Sequence, residues 1–440
     1  MYKAIDDHDE KLINSFEKIF SYIHGVIILE FRKDDIFLSS SVLYELLYCE
    51  WKSNVNNFIS KTIDSIFIYG LNSNCFIFFP LINFGLNQSG IKLFFMKDIN
   101  VSFDSESAIF FPQTNNKDKT ITNLTNIIKK FGAKKSSLNT SLIDHYLNTR
   151  PIDWFYKNPF VVLKIKSSFN EYYENEYIII RLLEKEITKL VLLSMYQINK
   201  DIKTKTYDVS TKNINNFHTK DIKHYLFFHL SKGVYKPVCV PIHEDKGVFH
   251  DIMNTKINLN ISKTKNVNKI KIIWKFIDDI YKTYLLKPKE ENVLRFVERI
   301  ISSLEFMRRS VSSSSNVDKW IYFGAALELL LSEDVRGQIT ETICLNGAFC
   351  VKINQEKIYN SLIQIYDFRS RAVHEGIGNE ETIEAHYAVY IELLFSFSEL
   401  FKSKKINPKE ARPINSFIKK KIIQNQLTKW EKVKLSNKIA

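Results

Sequence analysis

The chain has 440 residues, 45% of them hydrophobic and 25% charged, which excludes a disordered protein and predicts two or three domains. Only 12 glycines and 9 prolines exclude collagen-like and low-complexity architectures, and no apolar run reaches the roughly 20 residues that cross a membrane. The net charge is +13, and five scattered cysteines without CxxC spacing predict reduced thiols in a cytoplasmic protein with no export signal.

Short apolar runs rich in Ile and Phe alternate with helical patterns in the first half of the chain. Bounded by polar residues or Gly, such runs predict strands at 26–31, 65–69, 75–79, 92–95, 108–111, 160–165, 226–230 and 238–241. Helical spacing predicts helices at 10–19, 41–49, 122–131 and 177–196. Together they predict a mixed, β-rich N-terminal domain over 1–253, followed by a linker over 254–271.

The second half of the chain is predicted to be helical. Apolar residues recur at helical spacing in segments 272–286, 290–309, 318–331, 337–351, 355–373 and 380–401. Gly376 is typical of a residue that ends a helix. The fold class predicted for the whole chain is therefore α+β with two domains, in which an all-α bundle over 272–405 follows the β-rich domain.

The remaining segment, 406–440, is predicted to be a basic tail that is helical in part. Between residues 401 and 440, twelve Lys or Arg residues stand against two acids. Such a segment attracts polyanions, with a pull on nucleic acid that weakens steeply with salt. Lys419, Lys420 and Lys421 are the residues predicted to make these contacts. A solvated tail is the alternative, and an anionic membrane fits the pattern less well.

Arg369 interrupts the apolar stripe of the predicted helix 355–373. The stripe consists of Ile358, Leu362, Ile365 and, beyond the arginine, Ala372. A guanidinium that faces a bundle interior or an interface must be paired or bind an anion, because burying it alone is costly. This interruption predicts either a functional site or an arginine paired inside the bundle.

His374 follows Arg369 after five residues, in the last turn of the helix, where the helix dipole favours protonated imidazole. Five residues turn about 140° round a helix, so the two side chains do not stack. They can converge on one phosphate through the reach of arginine, or across a two-fold axis between two copies. The alternative is that His374 is an ordinary residue at a helix end.

Two blocks of sequence carry a resemblance to a known family. Segment 320–331 reads Trp-Ile-Tyr-Phe-Gly-Ala-Ala-Leu-Glu-Leu-Leu-Leu, and segment 365–376 reads Ile-Tyr-Asp-Phe-Arg-Ser-Arg-Ala-Val-His-Glu-Gly. Both resemble the Apea-like branch of the HEPN superfamily, over roughly residues 290–402. The resemblance implies that Arg369 and His374 form the Arg-x4–6-His motif of HEPN ribonucleases. Ser370, which is predicted to support the site, follows the motif arginine, where many of these enzymes carry Asn, Asp or His.

The resemblance implies a metal-independent endoribonuclease. In such enzymes the 2′-OH attacks the adjacent phosphorus, leaving a cyclic phosphate and a free 5′-OH. Arg369 would bind the phosphate and His374 would transfer protons, in a homodimer whose two motifs line one cleft. The resemblance further implies prokaryotic anti-phage defence by abortive infection, with RNA as the partner and tRNA as a candidate substrate. The N-terminal domain would then sense a phage-derived trigger or present the substrate.

Three further residues are predicted to support the site, each with a plainer alternative. Glu328 borders the apolar stripe of its helix and either orients Arg369 or faces water. Arg371 either contacts the RNA backbone or is an ordinary exposed arginine. Tyr366 either stacks on a base or packs in the core.

No metal and no cofactor are predicted. Five histidines between 218 and 250 lack the spacing of a zinc site, and the chain has no P-loop, GxGxxG or GxSxG motif. Two rival functions remain: a non-catalytic HEPN module that dimerises or binds RNA, a nucleotide or a partner, and a sensor that acts through its β-rich domain. A guanidinium locked against an acid deep in one chain, with the imidazole in solvent, would contradict the nuclease interpretation.

Overall fold

The structure is a computed structural model. It describes residues 10–33, 36–37, 43–44, 47–48, 50–51, 56–64, 74–81, 84–87, 101–102, 107–112, 116–132, 137–150, 152–167, 176–202, 211–213, 223–231, 234–242, 252, 255, 257–259, 268–333, 339–377, 383–424 and 426–439. The chain divides into two compact units. The first comprises Met1–Leu81, Asp98–Ile180 and Lys220–His243, and the second comprises Ile82–Lys97, Arg181–Thr219 and Glu244–Ala440.

The strands of the described residues form two sheets. They are β1 (Ile36–Phe37), β2 (Asn74–Pro80), β3 (Phe84–Asn87), β4 (Val101–Ser102), β5 (Ser107–Phe110), β6 (Ser137–Leu138), β7 (Phe160–Ser167), β8 (Thr211–Asn213), β9 (His224–Ser231), β10 (Val234–Pro241) and β11 (Ile257–Leu259). The sheet of the first unit has the order β4-β5-β7-β2-β9-β10-β6, with β1 beside β7. The second unit contains a small sheet of order β11-β3-β8.

The helices follow the same chain order. They are α1 (Glu10–Lys33), α2 (Lys117–Lys130), α3 (Thr140–Thr149), α4 (Trp154–Lys157), α5 (Glu176–Ile202), α6 (Asn268–Leu285), α7 (Glu291–Ser312), α8 (Asn316–Leu331), α9 (Ile339–Cys350), α10 (Gln355–Glu375), α11 (Tyr387–Lys402), α12 (Pro413–Ile423) and α13 (Lys429–Ile439). A 3-10 turn, Ile383–His386, precedes α11. The predicted fold class is confirmed: a mixed sheet is followed by a largely helical C-terminal part.

Strand β2 lies at the centre of the larger sheet. Ile77 is opposite Leu163 of β7 on one side and Phe227 of β9 on the other, and both pairings are antiparallel. Residues 75–79 are all buried, which explains why this strand is apolar without alternation. Five predicted strands are confirmed, because 75–79, 160–165, 226–230 and 238–241 lie within β2, β7, β9 and β10, and 108–111 overlaps β5 except at its last residue.

The strand predicted at 26–31 was wrong, because these residues belong to helix α1. Ile27, Ile28 and Phe31 are buried, whereas Val26 is exposed, so the run is one face of an amphipathic helix. The buried face contacts an aromatic cluster that includes Phe16. Tertiary packing therefore overrides the strand preference of Val and Ile. The strands predicted at 65–69 and 92–95 lie outside the described residues, and the helix predicted at 41–49 is described only in part.

The division of the chain differs from the predicted boundary at residue 253, because residues 181–219 cluster with the helical part. The reason lies in α5. Its Glu184 accepts a hydrogen bond from Arg308 of α7 at 2.6 Å, and its Lys189 carbonyl accepts one from the indole N–H of Trp274 at 3.0 Å. These contacts make most of α5 a member of the helical unit.

The cysteines within the described residues carry no disulfide. Cys75, Cys344 and Cys350 are buried, and Cys239 is half-buried. Burial raises the pKa of both Cys344 and Cys350 to about 12, which keeps them as thiols.

None of the described helices is both long and apolar enough to cross a membrane.

Candidate functional site

Helix α10 carries the predicted motif and holds its arginine at the edge of a core. The buried apolar side chains of this helix are those of Ile358, Leu362, Ile365 and Ala372. Gly376 caps the helix at φ 67°, a left-handed conformation that a residue without Cβ adopts readily. Arg369 continues the buried stripe, and 32% of its side chain remains exposed.

Gly324 of helix α8 makes room for the Arg369 side chain. A Cβ atom at this position would lie 2.4 Å from Cδ of Arg369 and 2.9 Å from its Nε. Since packed interiors do not tolerate such approaches, any larger residue would displace the arginine. No role for Gly324 follows from the pattern of α8 alone, although a single glycine inside an apolar helical run can signal a close approach.

Glu328 lies four residues beyond Gly324 on α8 and pairs with Arg369. Oε1 of the glutamate is 3.0 Å from Nη2 of the arginine, and 28% of the glutamate side chain is exposed. Burial raises the pKa of Glu328, and the Arg369 guanidinium opposes that rise. This contact supports the interpretation in which Glu328 orients Arg369, over the one in which it faces water.

Tyr366 lies beneath the guanidinium, one turn earlier on α10. The guanidinium carbon of Arg369 is 5.8 Å from the centre of the tyrosine ring. Tyr366 is only 4% exposed, and its hydroxyl donates to the carbonyl oxygen of Gly324 at 3.4 Å. Burial raises the pKa of Tyr366, so the phenol stays neutral. Because no ring face is open to a base, the geometry supports core packing as its role.

His374 does not join this cluster within one chain. Its side chain is exposed in the last turn of α10, and it makes no hydrogen bond to any residue that the structure describes. The helical repeat places it about 140° from Arg369. Ser370 and Arg371 are exposed as well, and the Arg371 guanidinium lies 5.3 Å from the ring centre of Phe368.

Helix α10 thus presents two groups that can take part in chemistry: the Arg369 guanidinium, which Glu328 holds in place, and the exposed imidazole of His374. The buried Nε of Arg369 has no partner among the described residues, and one edge of the guanidinium faces Glu328. Its remaining N–H groups can bind phosphate oxygens. Because Glu328 offsets the charge of Arg369, an approaching phosphate meets less attraction than a lone arginine would give.

The three predicted RNA-binding lysines lie on α12 and differ in their partners. Lys420 pairs with Glu410 at 2.7 Å, and Lys421 pairs with Glu431. Lys419 is exposed and forms no ion pair with a described residue. Of the three lysines, Lys419 is thus the one that forms no ion pair within the described part of the chain.

The basic tail docks on the start of α10 through α13. Glu431 is 0% exposed and accepts hydrogen bonds from Nε2 of Gln355 at 2.6 Å and from the backbone N–H of Thr428 at 2.7 Å. The Thr428 hydroxyl accepts from the backbone N–H of Glu431 at 3.2 Å, which completes a capping box. The rings of Trp430 and Tyr359 meet edge to face at 5.6 Å. The tail is thereby joined to the helix that carries the predicted motif.

The described residues contain no group of three or more His, Cys, Asp or Glu side chains placed to hold a metal ion. Of the five histidines between 218 and 250, His218, His243 and His250 lie outside the described residues. Burial lowers the pKa of His224, which favours its neutral form.

Comparison of the chain with protein-family models, with curated proteins and with solved structures finds no match. The resemblance to the HEPN superfamily therefore rests on the two sequence blocks that carry Gly324, Glu328, Arg369 and His374.

Proposed function

We propose that this protein is a metal-independent endoribonuclease of the HEPN type. The observation that carries the proposal is the setting of Arg369. This cation interrupts the apolar stripe of α10 and pairs with Glu328, while about a third of the arginine side chain stays exposed. In the proposed reaction, the 2′-OH of RNA loses its proton and attacks the adjacent phosphorus. The bond to the 5′ oxygen breaks, and that oxygen takes up a proton, which gives a cyclic phosphate and a 5′-OH.

Each motif residue has one role in this reaction. Arg369 stabilises the charge that develops on the phosphoryl oxygens. His374 transfers a proton, since imidazole titrates near neutral pH. The requirement for a 2′-OH limits cleavage to RNA.

The proposed site needs two copies of the chain. Arg369 and His374 are about 140° apart on one helix, so a two-fold axis would bring Arg369 of one copy towards His374 of the other. Val373 and Ile377 flank His374 and are exposed apolar side chains, of the kind that an interface covers. The proposed assembly is a cytoplasmic homodimer through the helical unit.

The biological setting is part of the same proposal and rests on the resemblance alone. Cleavage of RNA, with tRNA as the first candidate, would stop the growth of an infected prokaryotic cell. A phage-derived trigger acting on the β-rich unit would start it.

RNA cleavage in EDTA by three proteins tests the proposal: the wild type, Arg369→Ala and His374→Ala. We expect cleavage by the wild type only, with cyclic phosphate and 5′-OH ends, and a loss of at least about a hundredfold in each variant. Lys357→Ala is the matched control, because Lys357 is an exposed cation on the same helix, more than three turns from Arg369, and forms no ion pair with a described residue. Equal residual activity in the wild type and both motif variants would mark a contaminant and overturn the enzyme proposal.

A non-catalytic HEPN module is the second candidate, and the Arg369–Glu328 ion pair favours it. An arginine already paired within its own chain can serve stability alone. On this candidate, no RNA is cut by any of the proteins, and Arg369→Ala lowers stability without changing RNA binding.

A further inference from the structure

A cavity of about 520 Å³ lies between helices α9 and α12 of the helical unit. Its volume falls in the range of sites that bind small organic ligands. Leu345, Phe349 and Ile418 supply apolar wall, and Asn346, Asn415 and Ser416 are among the polar residues that line the rest. Neither Arg369 nor His374 lines it, so this cavity is separate from the proposed nuclease site.

Two cations line the cavity, and the charge of one of them, Arg412, opposes the rise that burial causes in the pKa of Glu333. Arg412 and Lys419 are exposed, and neither forms an ion pair with a residue that the structure describes. Arg412 is the N-cap residue of α12, and Lys419 lies seven residues further on, about 10 Å along the helix axis. Both side chains are long enough to converge on one anionic group.

The N-terminus of α12 is not the source of this anion preference. Glu333 accepts hydrogen bonds there from the backbone N–H groups of Ile414 and Asn415, at 2.8 and 2.9 Å. The free N–H groups of the first turn are therefore capped by an internal carboxylate. Binding of an anion must come from the Arg412 and Lys419 side chains.

Asn346 gives the cavity a fixed polar group. It is only 5% exposed, and its Nδ2 donates to the carbonyl oxygen of Leu331 at 2.9 Å, which fixes the orientation of the amide. Its carboxamide oxygen accepts no hydrogen bond from a described residue. A fixed carboxamide beside an apolar wall can pair with the polar edge of a nucleobase.

We propose that this cavity binds a nucleoside phosphate, with the phosphate on Arg412 and Lys419 and the base against Leu345 and Ile418. A phosphate ion is only as large as a few water molecules, each of which occupies about 30 Å³. Phosphate alone would therefore leave most of the cavity volume unfilled. An uncharged apolar ligand would leave both cations unused. The ligand is either a free mononucleotide or the 5′-phosphorylated end of an RNA chain, which present the same chemistry.

Calorimetric titration of the full chain tests this proposal, with the four ribonucleoside 5′-monophosphates, adenosine and inorganic phosphate as probes. At least one mononucleotide is expected to bind at least about tenfold more tightly than inorganic phosphate, and adenosine monophosphate more tightly than adenosine. Arg412→Ala and Lys419→Ala should each weaken nucleotide binding at least about tenfold. Lys405→Ala, at an exposed lysine outside the cavity, should leave the affinity unchanged.

Three results would overturn the proposal: no heat with any mononucleotide at millimolar concentration, equal affinity for inorganic phosphate, or unchanged affinity in both Arg412→Ala and Lys419→Ala. Competition by a short 5′-phosphorylated RNA identifies the RNA end as the source, and its absence identifies the free nucleotide. Because the readout is binding and not RNA cleavage, failure of this proposal is distinct from failure of the proposed nuclease.

Discussion

Gly324 and Arg369 depend on each other where helices α8 and α10 meet. A glycine inside a helix costs about 1 kcal/mol relative to alanine, so its presence in α8 needs a compensating contact. The contact is the stem of Arg369, which occupies the space that a Cβ would fill. The glycine thereby determines how the arginine reaches Glu328.

The Gly324→Ala variant should change stability in opposite directions in two backgrounds. In the wild type, the added methyl group collides with Arg369 and should lower the free energy of unfolding by about 1–3 kcal/mol. In the Arg369→Ala background the collision is absent. The higher helix propensity of alanine should then raise the free energy of unfolding by about 0.5–1 kcal/mol. Urea denaturation of the four proteins measures both changes.

Gly25→Ala is the matched control for this experiment, because Gly25 also lies inside a helix and a Cβ there would meet nothing within 4 Å. It should stabilise the protein in both backgrounds. A loss of stability on Gly324→Ala that persists without Arg369 would show that the arginine is not what occupies the space.

Single residues on one helix were the part of the site that sequence could predict. Arg369 stood out because the stripe of α10 is otherwise apolar, and helical geometry alone separated it from His374. The role of Gly324 could not be derived, since spacing along α8 does not reveal which side chain of another helix crosses it. The exposure of His374 likewise depends on packing that a single sequence does not specify.

At the level of elements, the tail helix α13 is joined to α10 through a buried carboxylate, that of Glu431. Adjacent lysines of α12 have glutamate partners in contrasting settings: Glu431 is fully buried, whereas Glu410 pairs with Lys420 near the surface. The hydrogen bond from Lys420 lowers the pKa of Glu410. The run of three lysines predicts a basic surface, and nothing in its sequence shows which charge is neutralised inside the fold.

Glu431→Ala should destabilise the protein by about 2–4 kcal/mol, because Gln355 and Lys421 would lose a buried acceptor. Glu410→Ala is the matched control and should cost less than about 1 kcal/mol, as exposed ion pairs do. Free energies of unfolding from urea denaturation give both values. Equal losses in the two variants would contradict the view that α13 is anchored through Glu431.

For the whole molecule, the change from a mixed sheet to a helical part was predictable, but the division into units was not. Apolar runs and helical spacing are local signals, so they located five strands and the helical half of the chain. The contact that assigns α5 to the helical unit joins Glu184 to Arg308, 124 residues away. A pairing at that separation leaves no periodic trace in the sequence.

Arg308 and Arg309 are neighbours in α7, and their replacement is expected to lower stability by very different amounts. Arg308 is 1% exposed and donates to Glu184 at 2.6 Å, whereas Arg309 forms a half-exposed pair with Glu305 at 2.7 Å. Arg308→Met should cost about 3–5 kcal/mol, because it leaves the Glu184 carboxylate buried with one cation fewer, while Arg309→Met should cost less than about 1 kcal/mol. Adding Glu184→Met to Arg308→Met should recover part of the loss, since no carboxylate then remains buried at that position. Urea denaturation measures the free energy of unfolding of each variant. Similar losses for the two arginines would contradict the view that the buried Arg308–Glu184 ion pair joins α5 to the helical unit.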